Sequence, residues 1–302
     1  MFRSSKMNHE DKQALQQRLF RHVDCLASLI GPRCFRKAGS MDATTGYLRQ
    51  QWSQMGYDIQ EEPFNALSDI ATNFVVETPG TSRAEEIVVL GAHYDTVLAT
   101  PGADDNASAV AVLLEVSRLL KDHVGKRTAR YVAFACEEPP YFNVDSMGSQ
   151  HHARTAKQRG DDIVGMLCLE MVGYFKDEPG SQPYPEEIPK WLTWPLPKRG
   201  NFLAALGNLD SWKLAYQFHR GFKRGSRLPV WALPLPDRFE FIFMSDNRAF
   251  WEQGYPALML TDTAFVRNPN YHQASDTPDT LDYARMAEVA LGVASAMKRL
   301  LK

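Results

Sequence analysis

IVVLGAHYD, residues 87–95, is the stretch that decides the fold: an apolar run too short for a buried helix, which stops abruptly in histidine, tyrosine and aspartate. A run of this kind, hydrophobic at every position, predicts a strand covered on both faces. Outward from it the pattern repeats. Helix is expected over Asn106–Leu120, strand over Ala129–Cys136, helix over Ser149–Gln158 and strand over Ile163–Leu169. After a gap come helix Asp246–Gln253, strand Pro256–Thr261 and a closing helix Leu281–Leu301. Such alternation predicts an α/β fold with a central, mostly parallel, twisted sheet flanked by helices on both faces. Upstream, Asn8 is a plausible N-cap for a helix whose Leu15, Leu19, Val23, Leu26 and Ile30 recur every three or four residues, until Gly31-Pro32 stops it. Tyr47, Leu48, Trp52 and Met55 mark a second helix, and Tyr57–Phe64 and Asn73–Glu77 read as short strands.

The gap, at about 176–240, reads as an ordered insertion within a single domain spanning 1–302. It carries Pro179, Pro183, Pro185, Pro189, Pro195 and Pro197 together with Trp191, Trp194, Trp212 and Trp231, too many aromatics for a disordered linker. Its basic cluster, Arg220, Lys223, Arg224 and Arg227, reads first as a solvated helix end and second as a site for an acidic substrate. Across 302 residues, 34 Lys and Arg against 36 Asp and Glu leave a net charge of −2. No global field draws the chain to nucleic acid or to an anionic membrane, so neither is an expected partner. MFRSSKMNHEDKQ at the N-terminus lacks the apolar core of a signal peptide, and no run approaches a membrane span, so a cytoplasmic location is expected. Four cysteines, Cys25, Cys34, Cys136 and Cys168, without a C-x-x-C pair, suit reduced thiols rather than a disulfide scaffold.

Chemistry gathers where the strands end. The first apolar strand delivers His93 and Asp95, the next Glu137 and Glu138, the third Glu170, and the segment after the last carries Tyr271 and His272. Ligands of open α/β sheets bind at the carboxyl ends of the strands. Asp104 and Asp105, in a glycine-containing turn at a helix start, place one further carboxylate within reach. His93, Asp104 or Asp105, Glu138, Glu170 and His272 make a mixed nitrogen and oxygen shell without thiolates, suited to Zn²⁺. Two divalent ions neutralise three carboxylates and a bridging hydroxide, so the charge count favours a pair of metals. Taken singly, each residue has a plainer role: His93 and Asp95 as a strand-end hydrogen-bonded pair, Glu137 and Glu138 as a solvated loop, His272 as a loop histidine, Tyr271 as packing. A carboxylate at Glu170, after four apolar residues, needs a partner in any reading.

The segments VVLGAHYDTV, PGADDNASA, YVAFACEEPP, LCLEMVGYF, SDNRAFWEQGYPALMLTD and YHQASDTPDTLDY resemble, in order and separation, the M28 family of zinc aminopeptidases. The resemblance implies a zinc-exopeptidase fold and, residue by residue, a site. His93 and Glu170 would hold one zinc, Glu138 and His272 a second, and Asp105 would bridge them. Asp95 would orient the His93 ring. Glu137 would be the general base, and Tyr271 would donate to the oxyanion of the tetrahedral species. The substrate implied is a peptide with a free N-terminus. One departure stands out: aspartate is common in the family where this chain has Glu170, and the longer side chain is expected to weaken one metal position. A glutaminyl-cyclase-like acyltransferase with a single zinc is the alternative enzyme, and a non-catalytic binding protein on the same fold the alternative from another class.

Overall fold

Period-two alternation along β3 (Arg83–His93) divides the molecule. Val88, Leu90 and Ala92 face one core and Ile87 and Val89 the other, as a strand buried on both faces requires. The computed structural model describes residues 9–185 and 188–302, so the Asn8 cap lies outside the described residues. In it β3 pairs in parallel with β4 (Arg127–Phe134) and β5 (Asp162–Glu170), and β5 in parallel with β8 (Ala257–Thr261). On one side β1 (Gln60–Ala66) and β2 (Asp69–Thr78) extend the sheet antiparallel; on the other come β6 (Leu203–Asn208), antiparallel to β8, and β7 (Val230–Leu235), parallel to β6. The order is β1-β2-β4-β3-β5-β8-β6-β7. Pro63 and Pro234 sit in the two outermost strands, where a missing N–H costs the ladder least.

The main core lies under α1 (His9–Asp24), α3 (Ala109–Leu120), α6 (Trp212–Gly225) and α8 (Tyr283–Leu300), with Trp52 of α2 (Ser40–Gln54) buried beside them. The second core, on the opposite face, lies under α4 (Gly148–Arg159) and α7 (Asn247–Glu252). A single turn, α5 (Lys190–Thr193), belongs to the segment between β5 and β6. Among the described residues no helix is long and apolar enough to cross a membrane.

Two differences from the sequence reading have local causes. Within 176–240 the chain contributes β6, α6 and β7 to the main sheet and its helical layer. Leu203-Ala204-Ala205-Leu206-Gly207 has little β-branched content and β7 carries a proline, so neither gives a strong strand signal. Cys136 lies beyond the end of β4 with φ of 60°, outside the strand. Because the chain passes from β3 to β4 on one side and then to β5 on the other, a crevice opens at the carboxyl end of β3.

Candidate metal centre

Every strand-end residue singled out in the sequence reaches this crevice. His93 is the last residue of β3, Glu137 and Glu138 follow β4, Glu170 ends β5, and His272 lies in the loop after β8. Backbone strain marks the same places. Cys136 before the glutamates, Met171 after Glu170, and His272 itself all have positive φ, of 60°, 47° and 58°. Non-glycine residues hold this conformation only where surrounding contacts fix it.

The turn before α3 separates Asp104 from Asp105. Gly102, at φ of 62°, starts it, and a Cβ there would stand 2.2 Å from the Asp105 carbonyl oxygen, so only glycine fits. Asp104 points into the frame: its carboxylate accepts from the Gly173 N–H at 2.9 Å and from the Asn268 amide at 2.7 Å. Asp276 in turn accepts from the N–H groups of Asp104 and Asp105. Asp105 faces the crevice, with Oδ1 3.7 Å from His93 Nε2 and Oδ2 3.2 Å from His272 Nε2. One carboxylate thus addresses both histidines.

Around it, Glu170 Oε2 lies 3.3 Å and Glu137 Oε2 3.9 Å from His93 Nε2, while Glu138 Oε2 lies 3.1 Å from His272 Nε2. Two sets result, His93, Asp105 and Glu170, and Asp105, Glu138 and His272, each with its donor atoms within 4.8 Å of one another. Neither oxygen near His272 Nε2 is aligned for a hydrogen bond, and that nitrogen, like Glu138 Oε1, is buried without a hydrogen-bond partner. Buried donor atoms left over in this way, converging without thiols, fit a divalent cation of the zinc type. The extra methylene of Glu170 does not take its oxygen out of the set.

The protons of the metal-free cluster point the same way. Burial drives Glu137 well above the usual carboxylate range, and its anionic neighbours Glu138 and Glu170 add to the shift against His93. Burial and the adjacent Asp105 bring Glu138 to about 8. Burial acts the opposite way on His93 and His272, and both are raised nonetheless. Burial disfavours their charged forms, yet the carboxylates of Glu170 and Glu137 outweigh it at His93, and those of Asp105 and Glu138 hold His272 at about 10. Too many anions share too little positive charge here, so the cluster retains protons that a divalent cation would displace.

Asp95 lies between the His93 ring and the two glutamates. Its Oδ1 is 3.6 Å from His93 Nδ1, beyond hydrogen-bonding range, and that nitrogen has no partner. Its two oxygens accept the backbone N–H groups of Glu137 and Glu138, both at 3.1 Å, which ties the end of β3 to the two glutamates. Tyr271 stacks on the His272 ring, centroids 3.8 Å apart, and burial raises its phenol far above its ordinary range.

Three contributors escaped the sequence reading. Ser245 donates to Glu170 Oε2 at 2.6 Å. Asp246, fully buried with neither oxygen hydrogen-bonded, is held at about 7 by burial in spite of His93. Arg33, fully buried, donates through its side chain to the carbonyls of Leu26, Gly31, Tyr94, Pro101 and Gly102, clamping the β3 exit to the turn that carries Asp105. Ser245-Asp246 stood inside the quoted SDNRAFWEQGYPALMLTD segment. Arg33, about 60 residues upstream of His93 in sequence, gave no signal of its own.

Beside the cluster an apolar cavity of about 250 Å³ opens between Glu170 and Tyr271 and runs past Gln182, Tyr184, Leu196 and Pro197.

A family model described as Peptidase family M28 matches residues 73–297. An Escherichia coli relative known as Uncharacterized protein YfbL is 34% identical over 290 residues, covering 93% of this chain and 87% of its own length. A Probable leucine aminopeptidase 1 of Trichophyton verrucosum is 30% identical over 232 residues, 72% of this chain and 55% of the relative. Among solved structures, BSAP, a zinc aminopeptidase from Bacillus subtilis, superposes with TM-score 0.71 at 15% identity, covering 95% of each chain. A glutaminyl cyclase of Fimbriiglobus ruber superposes with TM-score 0.66 at 18% identity over 99% and 97%. At such identities these structures share the fold, and the fold does not choose between the two reactions.

Proposed function

Since this chain belongs to peptidase family M28, we propose that it is a zinc-dependent aminopeptidase. It releases N-terminal residues from peptides by adding water to the first peptide bond. The observation that carries the reading is the pair of donor sets sharing Asp105, with Glu137 beside them.

His93, Asp105 and Glu170 would hold one zinc and Asp105, Glu138 and His272 a second, with Glu170 making the first position the weaker. Zinc bound there supplies Lewis acidity, polarising a scissile carbonyl and acidifying a water. The chain's own residues do the rest. Glu137, buried beside both donor sets, takes the water's proton on its carboxylate and passes it to the departing amine. Asp95, through the Glu137 and Glu138 N–H groups, fixes the base and its neighbouring ligand together. Tyr271, stacked on the His272 ring, donates a hydrogen bond from its phenol to the developing oxyanion.

The test is zinc content by elemental analysis with hydrolysis of amino-acid p-nitroanilides, before and after chelation and zinc restoration. About two zincs per chain, with free-amine substrates cleaved and N-acetylated ones spared, is the expected result. One zinc with conversion of N-terminal glutamine to pyroglutamyl product would replace the reading by a cyclase, and binding of glutamine peptides without turnover by a non-catalytic role.

A further inference from the structure

Strand register lays out the cavity beside the metal centre. Glu170 pairs with Thr261, Thr261 with Ala204, and Ala204 with Trp231, so one row crosses β5, β8, β6 and β7 on a single face of the sheet. Paired residues in adjacent strands stand about 4.8 Å apart, so Trp231 closes the row roughly 14 Å from Glu170. Between these ends the row holds only threonine and alanine. The next row, Met259, Leu206 and Leu233, is bulky, and so the small residues leave a trough that starts at the metal centre and ends on an indole.

Size and polarity of this trough select a ligand. Its volume of about 250 Å³ exceeds the roughly 150 Å³ at which a buried apolar cavity accepts benzene, leaving room for a ring larger than phenyl. Among the described residues lining it, Glu170 at the mouth is the only charged one. The Gln182 amide is consumed on both ends, donating to Pro183 O and Thr263 Oγ1 and accepting from Arg267 Nε. The Tyr184 hydroxyl donates to Pro197 O. Gln182 and Tyr184 therefore have no group to spare for a polar head, and most of the wall between Thr261 and Trp231 is apolar, so burying such a head there is costly.

Resting on the aminopeptidase reading, we infer that the preferred substrate is a peptide whose N-terminal side chain is a large apolar aromatic, phenylalanine or tryptophan, seated along the row from Thr261 to Trp231. Leucine fits and leaves the far end empty. Tyrosine carries its hydroxyl into a mostly apolar stretch. Lysine, glutamate and glutamine are rejected, which also disfavours the glutamine needed by a cyclase.

The experiment uses zinc-loaded protein and two readouts. In the first, kcat/KM is measured on the alanine, leucine, phenylalanine, tyrosine, tryptophan, lysine and glutamine p-nitroanilides, with wild type and Ala204→Phe. Phenylalanine is expected about 10²-fold or more above alanine and about 10-fold above tyrosine. In Ala204→Phe, whose new ring fills the trough, the phenylalanine to alanine ratio falls at least 10-fold. In the second, calorimetry compares binding of free L-phenylalanine and L-alanine to both proteins. Phenylalanine binds more tightly to wild type and loses that advantage in Ala204→Phe. Cleavage of alanine or lysine substrates at rates matching phenylalanine overturns the aromatic preference and leaves the aminopeptidase reading standing. Tight phenylalanine binding lost in Ala204→Phe, with no substrate cleaved, keeps the pocket and overturns the aminopeptidase reading. Equal binding of the two amino acids overturns the pocket.

Discussion

Replacing Arg33 by methionine tests whether the site is held from outside the segment matched by the family. Arg33 is fully buried and spends its guanidinium on five backbone carbonyls rather than on a carboxylate. Burial lowers its pKa to about 10, against the pull of Asp276, Asp105, Asp95 and Glu138, so it stays charged at neutral pH. Two of the five carbonyls, of Leu26 and Gly102, also accept from the Gly31 and Ala107 N–H groups. The carbonyls of Gly31, Tyr94 and Pro101 have no other hydrogen bond among the described residues. Leaving a buried acceptor without a donor costs about 1–3 kcal/mol, and methionine recovers part of this by filling the volume. The expected loss is about 4 kcal/mol of unfolding free energy, large against the 5–15 kcal/mol typical of a folded protein. Urea unfolding followed by tryptophan fluorescence should show a lower midpoint at an unchanged slope. Because the clamp includes Pro101 and Gly102, zinc affinity measured by competition with a chelator should fall with it. Arg33→Lys, which keeps the charge but not the fork, should recover only part of either loss. A change below about 1 kcal/mol in Arg33→Met, with zinc affinity intact, would refute the reasoning, since the carbonyls would then be satisfied without the guanidinium.

Four further outcomes are expected. Glu137→Gln should retain zinc and lose turnover by about 10³-fold, since it removes the proton carrier and not a metal ligand; equal loss of zinc would make Glu137 a ligand. Tyr271→Phe should lower kcat by about 10²-fold with KM little changed, as loss of a donor to the oxyanion does; a KM effect alone would reduce Tyr271 to packing. Calorimetric titration of the metal-free protein should resolve two unequal zinc affinities, with Glu170→Asp bringing them closer, whereas two equally tight positions in wild type would contradict the weakening assigned to Glu170. Burial raises the Glu115 pKa, but bonds from His22, Arg118 and Arg18 outweigh it and bring the group to about 2. Its folded pKa is therefore depressed, so its contribution is present above about pH 4.5 and is lost as pH falls toward 2. At pH 7, Glu115→Gln should cost about 3 kcal/mol by that shift, and wild type and variant should converge in acid; a difference independent of pH would sink the assignment.

The parallel core was legible because its signals are local. A strand buried on both faces must be apolar throughout, as Ile87 to Ala92 is, and the residues that break such a run stand at its end, where an open sheet binds ligands. That was enough to single out His93, Glu137, Glu138 and Glu170 before any contact between them was known. The strands β6 and β7 were illegible for the complementary reason. Ala204 and Ala205 carry no strand preference, and their partners on β8, Thr261 and Leu260, lie more than 50 residues away.

Tertiary structure alone decided the rest. Composition does not distinguish Asp104 from Asp105; the twist of the turn after Gly102 sends one carboxylate to Gly173 and Asn268 and the other to the two histidines. Nor does spacing reveal that Asp95 accepts from the two glutamate N–H groups, or that Arg33 holds the turn in place. The sequence by itself determined which chemical groups are present and at which strand ends they emerge, since hydrophobic periodicity is a short-range property of the chain. Which oxygen faces which nitrogen, and how wide a trough runs beside them, depends on a few ångströms of packing between segments distant in sequence, and only the folded chain sets those distances.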